Sequence, residues 1–528
     1  MILWLAGCAS SSLVLAPEAP DVPFKPKLTA AVDGVPGIVE QPRITPTGAR
    51  DFGLPPMPGL PISSGQSPVI ESQHVYTLAE LIDLAQTNNP DTRIAWERAR
   101  QAALGVGMVK ALYLPVLTAT AVGGGQRETG STQIANLPVT KVGNTLSGAV
   151  PSVALQWLIF DFGERDALKR AAQDLTLASN IAFNGAHQRI IYAVSRNFFE
   201  YSAARRRTAI AEQSRADSVH LLDAASDRFK SGVGTTIETA QARQSVAQAE
   251  FSVVQARNAE RDSYHQLLAA AGLQPMLVIK VEDVSRRQLS SASQAPVDRI
   301  LAQAMARRPD IQASYVTARS AQAGIDAARA DLFPKIFVQA SDTYLNGNLN
   351  ITSLPTTPAL GASGSLSSAS PSSTSIPLVG NTSLGRVSSS LNNATILGGV
   401  VIPLYDGGVR EARVREAQSR ADAAEATVLR LEQAAATEIV AADDAVRSSL
   451  AAHQAASALV SASATAHDAG LSAYRSGAGT LTAALEAQRA LSSARIAQAE
   501  AHGTALIAAA TLAFATGRLS SSDTVTAR

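Results

Sequence analysis

Two Asp-Phe-Gly triplets, Asp51-Phe52-Gly53 and Asp161-Phe162-Gly163, spell the metal-binding triplet of a protein kinase. Neither is accompanied by a His-Arg-Asp catalytic loop or a lysine motif on a preceding strand, so neither has the partners that phosphoryl chemistry needs. Gly232-Val233-Gly234-Thr235 is glycine-rich but lacks the Gly-Lys-Ser/Thr with which a P-loop holds phosphate. The seven histidines (His74, His187, His220, His265, His453, His467 and His502) show no His-Glu-x-x-His and no paired ligand spacing. No nucleophile, base and orienting group form a catalytic constellation. The chain is expected not to be an enzyme and to bind no metal.

What the glycine-rich segment does becomes legible once it is seen to occur twice. Phe229-Lys230-Ser231-Gly232-Val233-Gly234-Thr235 recurs as Tyr474-Arg475-Ser476-Gly477-Ala478-Gly479-Thr480, and Phe160-Asp161-Phe162-Gly163 recurs at the same spacing as Tyr405-Asp406-Gly407-Gly408. Earlier in the chain, Asn89-Pro90-Asp91 recurs as Arg308-Pro309-Asp310, and Tyr113-Leu114-Pro115 as Leu332-Phe333-Pro334, at a shorter spacing. The spacing lengthens inside one loop. A unit this long is not a solenoid repeat. It is one supersecondary plan used twice.

Composition narrows the class. The 528 residues carry 45 basic and 44 acidic side chains, a net charge of +1, which gives no electrostatic case for nucleic acid. Arg205-Arg206-Arg207 is read as a solvated helix face. Aromatic residues are only 5%, while long stretches are rich in Ala, Gln, Arg and Glu, favouring long helices packed through small side chains. No apolar run approaches the roughly 20 residues of a transmembrane helix. The lone cysteine, Cys8, excludes an internal disulfide. It closes Leu5-Ala6-Gly7-Cys8, which resembles a bacterial lipobox, so a covalent lipid is expected on Cys8 and no other cofactor. The basic n-region and most of the apolar h-region of such a leader are missing before it. Ala9, in place of an inner-membrane retention Asp, points to outer-membrane sorting. Residues 1–8 are thus read as a short lipoprotein signal. Residues 9–75, with nearly half of the chain's 25 prolines, are read as an extended lead.

Repeat 1 is assigned to residues 76–295 and repeat 2 to 296–518, with a tail at 519–528. Each opens with a short amphipathic helix, which Thr77 and Glu80 start in repeat 1 as a capping box. A second helix follows, begun at Pro90 or Pro309 and stopped by Pro115 or Pro334. The period then becomes two. Leu117, Ala119 and Ala121 alternate with Thr118 and Thr120, and Val153, Leu155, Trp157 and Ile159 with Ser152, Ala154 and Gln156. Ile336, Val338 and Ala340 continue the pattern, with Phe337 an exception. Each repeat therefore holds one β-hairpin, about 115–161 and 334–406. Their loops are expected at 123–147 and 346–393, the second rich in Ser and Gly. A proline-free helix of roughly 100 Å comes next, about 163–229 and 408–474. Asp161 and Asp406 are placed to cap these helices. The glycine segments, about 230–235 and 475–480, turn the chain back, glycine ending one helix and Thr235 or Thr480 capping the next. The returning helices, about 236–271 and 481–516, are too short to match the long ones. Stacked end to end with the proline-bounded helices they nearly do.

Four strands cannot close a barrel, which needs about eight. In lipid an open sheet would leave backbone groups unsatisfied. The Leu/Val/Trp/Ile face opposite a Thr/Ser/Gln face favours several chains pooling their strands.

This order of elements, given twice with these joints, resembles the TolC family of outer-membrane factors over about residues 75–518. The resemblance implies a fold that is mostly α with a small β part. It implies a homotrimer forming a twelve-stranded outer-membrane β-barrel continued by a twelve-helix periplasmic α-barrel. It also implies a lipid-anchored channel in outer-membrane lipid that spans into the periplasm. In such a system a periplasmic adaptor (membrane fusion protein) and an inner-membrane pump of RND or ABC type supply the energy.

By the same resemblance Gly232, Val233, Gly234, Thr235, Gly477, Ala478, Gly479 and Thr480 form the adaptor-docking tips. Glu238 and Glu486 form acidic rings at the pore entrance. Ala483 stands where a second acid is expected in that copy, so a double gate is incomplete. The implied function is the exit duct of a tripartite efflux system for small molecules such as drugs, toxic compounds or metal ions. The alternatives are the exit duct of a type I protein secretion system and, more distantly, a non-channel coiled-coil surface protein.

Overall fold

The computed structural model describes residues 28–32, 35–38, 73–132, 140–285, 287–289, 297–348 and 391–519. Cys8 with its lipobox, most of the lead, the heart of the second loop and nearly all of the C-terminal tail lie outside the described residues. The chain divides into two units, Met1–Val69 and Ile70–Arg528. Unit 1 holds one two-stranded ribbon among its described residues. β1 (Leu28–Val32) pairs antiparallel with β2 (Val35–Ile38). A two-stranded ribbon tolerates Pro36 because much of its backbone lies at an edge.

In unit 2 each repeat follows the same order. Repeat 1 has β3 (Val75–Tyr76), α1 (Leu78–Asn88), α2 (Pro90–Ala111), β4 (Val116–Thr132), β5 (Thr140–Phe160), α3 (Glu164–Lys230), α4 (Thr236–Ala270) and β6 (Lys280–Val281). Repeat 2 has α5 (Val297–Met305), α6 (Pro309–Ala330), β7 (Lys335–Asn348), β8 (Leu391–Val401), α7 (Val409–Ser476) and α8 (Leu481–Ala515). Local chemistry sets the boundaries. Thr77 and Glu80 form the expected capping box, and the Asn89 side chain accepts from the Asp91 N–H. α3 and α7, of 67 and 68 residues, are each about 100 Å long.

The long helices pack through small side chains. Ala167, Ala172, Ala178, Ala186, Ala204 and Ala211 are buried along α3. A larger apolar cluster sits where α1, the middle of α3 and the end of α4 meet, around Leu81, Ile82, Val194, Phe198, Leu267 and Leu268. The parallel pair β3–β6 closes repeat 1 onto its own beginning.

The stacking of short helices is built the same way in both repeats. Asn89 donates through Nδ2 to the Ala270 carbonyl at 3.2 Å, and Arg308 donates through Nη1 to the equivalent carbonyl, Ala515, at 3.1 Å. Gly272 and Gly517 follow with φ of +70° and +65°. A Cβ on either would come within 2.9 Å of the backbone at Asn89 or Arg307. Only glycine lets the end of a returning helix abut the start of a proline-begun one. Arg308 also pairs with Asp310 and Glu438, tying α6 to α7 and α8. Burial pushes the Asp310 carboxyl up, but the hydrogen bonds and charge of Arg308 outweigh it and hold Asp310 below the usual range.

The four long strands form one antiparallel sheet in the order β4-β5-β7-β8. Its register places Leu117, Leu155, Ala340 and Ile396 in one row and Thr120, Ser152, Thr343 and Asn393 in another. These are the predicted apolar and polar faces, with Asp342 interrupting the apolar one. The apolar face is bare in the single chain, with Leu117 69% and Ile396 79% exposed. Phe337, the exception to the alternation, is buried over Gly399, where a Cβ would lie 2.6 Å from its ring. The reading of 123–147 as a loop is corrected. β4 and β5 stay paired from Gly123↔Ala149 to Thr132↔Thr140. Gly, Asn, Glu and Lys there lower strand propensity, but an antiparallel ladder already in register extends through backbone groups alone.

The strand-to-helix junctions hold buried charge. Asp161 and Asp406 do cap the long helices, from two residues ahead of a left-handed glycine, Gly163 or Gly408. Arg165 pairs with Asp161 at 2.8 Å, both nearly fully buried, and donates to the carbonyls of Leu112, Leu158 and Ile159. In repeat 2, Lys335 lies between Glu164 and Asp331, and Asp331 also receives Arg410 and Arg413. Phe162 adopts φ 52°, a cost that Gly407 avoids at the equivalent position. Its ring stacks on Phe333 and meets Phe160 edge-on.

Arg308→Ala is expected to lower stability by about 2–3 kcal/mol, because it removes the donor to a buried carbonyl and the counter-charge of two carboxylates. Partial exposure of those carboxylates keeps the figure below that of a fully buried pair. Asn89→Ala, which removes a neutral hydrogen bond and a cap, costs about 1 kcal/mol. Urea unfolding measures both. The depressed Asp310 stabilises the fold above about pH 4, and this contribution drains as pH falls further through its folded value. Asp310→Asn should flatten the acid limb of the stability profile.

Candidate functional site at the helical tips

The two turns are alike in backbone. At the end of α3, Gly232 N–H donates to the Phe229 carbonyl and Val233 N–H to that of Arg228, both at 3.0 Å. This is the Schellman arrangement, and Gly232 takes the left-handed φ of +77° that it requires. At the end of α7, Gly477 has φ +81° and donates to the Tyr474 carbonyl. Gly234 is needed for space, since a Cβ would lie 2.8 Å from the Phe229 nitrogen. Thr235 and Thr480 cap the returning helices, their hydroxyls accepting from Glu238 N–H and Ala483 N–H. The sequence roles of these residues as helix ends and caps are all met. Val233 and Ala478 are both exposed.

Between the turns lies a contact that sequence reasoning missed. Tyr474 is fully buried and packs with Leu221, Ala225, Ala242, Leu481, Ala484 and Leu485. Its hydroxyl donates to Glu238 Oε2 at 3.3 Å. Arg228 lies over the Tyr474 ring at 5.1 Å and donates to the Tyr474 carbonyl at 3.2 Å. Burial, and next the Glu238 carboxylate, push the Tyr474 phenol up, so it stays a neutral donor. Three groups from α3, α4 and α7 thus tie one helical hairpin to the other. Behind them Gln488 on α8 donates to Ser218 Oγ at 2.6 Å and to the Ser214 carbonyl at 3.1 Å, both on α3. The signal was present in the repeat alignment. Where repeat 1 has Phe229, repeat 2 has Tyr474, and the extra hydroxyl is the donor. Where repeat 1 has Arg228, repeat 2 has Ala473.

Structure separates the two predicted acids. Glu238 is half-buried in this contact, whereas Glu486 is exposed on α8. The arrangement offers no nucleophile with a base. It offers a hydrogen-bonded tie between the two helical hairpins.

The family model described as outer membrane efflux protein matches residues 81–273 and 300–518. A relative, Protein CyaE of Bordetella pertussis, is 27% identical over 383 residues, 72% of this chain and 70% of its own length. The pyoverdine export outer membrane protein OpmQ of Pseudomonas aeruginosa is 25% identical over 52% of this chain and 59% of its own. The solved outer-membrane channel OprN superposes with a TM-score of 0.65 at 21% identity, covering 84% of this chain and 90% of that one. No helix among the described residues is long and apolar enough to cross a membrane. The chain belongs to the outer membrane efflux protein family and is an outer-membrane efflux channel of the TolC type.

Proposed function

We propose that three copies of the chain form a passive exit duct for small molecules, docked at its tips to a periplasmic adaptor and fed by an inner-membrane pump of RND or ABC type. One observation carries this reading: the chain is an open segment of a ring. α3 packs against α2 and α4 and also against α6 and α8. α7, its equivalent, has its extensive contacts with α6 and α8. What α6 and α8 give to α3 is left for α2 and α4 of a second copy to give to α7. The sheet repeats the logic. β5 and β7 join the repeats within the chain, while β4 and β8 end it with unpaired edges. A head-to-tail contact of this kind closes into a ring when the rotation allows.

Passive transport fits a site without catalytic groups. Relatives named for pyoverdine export and toluene efflux favour small molecules over an exported protein. The exposed Val233 (65%) and the small residues Gly232, Gly234, Gly477, Ala478 and Gly479 suit a docking surface of low bulk. Glu238 and Glu486, with three copies of each, would favour cations at the entrance. The Arg228–Tyr474–Glu238 tie holds the entrance hairpins together until docking exchanges it. A lipid on Cys8 would anchor the chain to the same membrane.

Photo-crosslinkers at Val233 and Ala478 are expected to capture a periplasmic adaptor in cells; capture of nothing while the protein sits in the outer membrane would overturn the docking assignment. In planar bilayers, Glu238→Gln and Glu486→Gln should each lower cation preference, and unchanged selectivity in both would remove the acidic rings. Tyr474→Phe keeps the packing and removes the donor. It should raise open-channel conductance at a stability cost of about 1 kcal/mol. Wild-type conductance should be steady with pH up to about pH 10, because the phenol keeps its proton.

A further inference from the structure

Where α5 leads into α6, a groove of about 370 Å³ opens between α3, α6 and α7. Ile181, Met305, Ile311, Val316 and Val428 make it apolar. Gln312, Tyr315 and Glu432 are the polar side chains of its lining, and no cationic side chain lines it. Gln312 is held in place, its Nε2 donating to the Ala306 carbonyl at 2.6 Å. Tyr315 is 63% exposed, so its ring is free to be covered. Glu432 is half-buried and has no hydrogen-bond or ion-pair partner among the described residues.

The other repeat fills the same positions. At equal distances from the start of the long helix, α3 carries Phe183 and His187 where α7 carries Val428 and Glu432. The Phe183 and His187 rings pack edge-on at 4.7 Å. Trp96 on α2 stands where α6 has Tyr315, so an aromatic ring on the proline-begun helix is common to both repeats. Repeat 2 has therefore exchanged two rings for a small side chain and a carboxylate. The exchange opens space and places one negative charge beside it.

We propose that this groove binds a hydrophobic ammonium ion, a positive nitrogen carried on an aromatic or alkyl body. Its volume falls among small-molecule sites. A carboxylate set in apolar walls repels anions, and a single carboxylate is too few ligands to strip a metal ion of its water. It suits a cation that brings apolar surface of its own. Glu432 supplies the counter-charge, the Tyr315 ring takes the ammonium face, and the flexible Met305 thioether adapts to the apolar body. Arg308 and Arg319 flank the groove along α6, and each is already paired, Arg308 with Asp310 and Glu438 and Arg319 with Asp174. The lining comes from one chain, so this inference does not rest on the proposed trimer or on adaptor docking.

Equilibrium dialysis of the full-length protein in lipid nanodiscs with radiolabelled benzyltrimethylammonium tests it. One saturable site per chain is expected. Glu432→Gln keeps the shape and should weaken binding about tenfold, and Tyr315→Leu about threefold. Val428→Phe supplies the ring that repeat 1 carries at this position. It should abolish binding and hold or raise the melting temperature, an outcome that misfolding cannot mimic. Asp444→Asn removes an exposed acid farther along α7 and should change nothing. Absence of a saturable site in the wild type would overturn the proposal. So would unchanged affinity in Glu432→Gln or Val428→Phe, or equal loss in Asp444→Asn.

Discussion

Every part of this architecture answers to the hydrogen-bonding demand of a sheet edge. β4 and β8 each end the sheet with a row of unpaired N–H and C=O groups. In water such an edge invites aggregation, and in lipid each unsatisfied group costs several kcal/mol. The apolar rows through Leu117, Leu155 and Ile396 make water the wrong solvent for one face. In the proposed assembly these edges meet edges from other copies. The helices would then follow the same ring, because the strands lead into them at Gly163 and Gly408.

That continuity explains where the chain spends its charges. The strand-to-helix junction is the one place where apolar sheet, helix ends and a sharp turn coincide. Arg165 gathers three carbonyls there, and Lys335, Asp331, Arg410 and Glu164 bridge the two repeats. Burial pushes the Glu164 carboxyl up although Lys335 opposes it, so the network holds its charge against a real desolvation cost. At the opposite end of the long helices the design is reversed. Glycine turns and an alanine-lined cluster surround one tyrosine, and the tie there is a few hydrogen bonds. A charged collar at one end and a small hydrogen-bonded tie at the other suit the proposed duct with a docking tip.

Much of this was legible in the sequence because it depends on local chemistry. Thr77, Asn89, Pro90, Pro309, Gly232 and Gly477 mark helix ends by rules that need no tertiary information, and the two-residue period fixed the strand faces. The helical tips were found for the same reason. What was not legible depends on partners far apart in the chain. Tyr474 meets Glu238 and Arg228 across two hairpins, and only the Phe229/Tyr474 and Arg228/Ala473 differences between the repeats mark it. The strands beyond Gly123 were read as loop because their composition is polar, while the ladder that orders them is a property of backbone pairing.

The account stands most directly on the joining of β8 to β4 of another copy. Cysteines placed along β4 and β8 in paired scans, oxidised in intact outer membranes and resolved on denaturing gels, test it. The account predicts covalent species that rise to three chains and stop, from a contiguous set of pairs in antiparallel register. Monomers alone across the whole scan, or ladders that run past three, would contradict it.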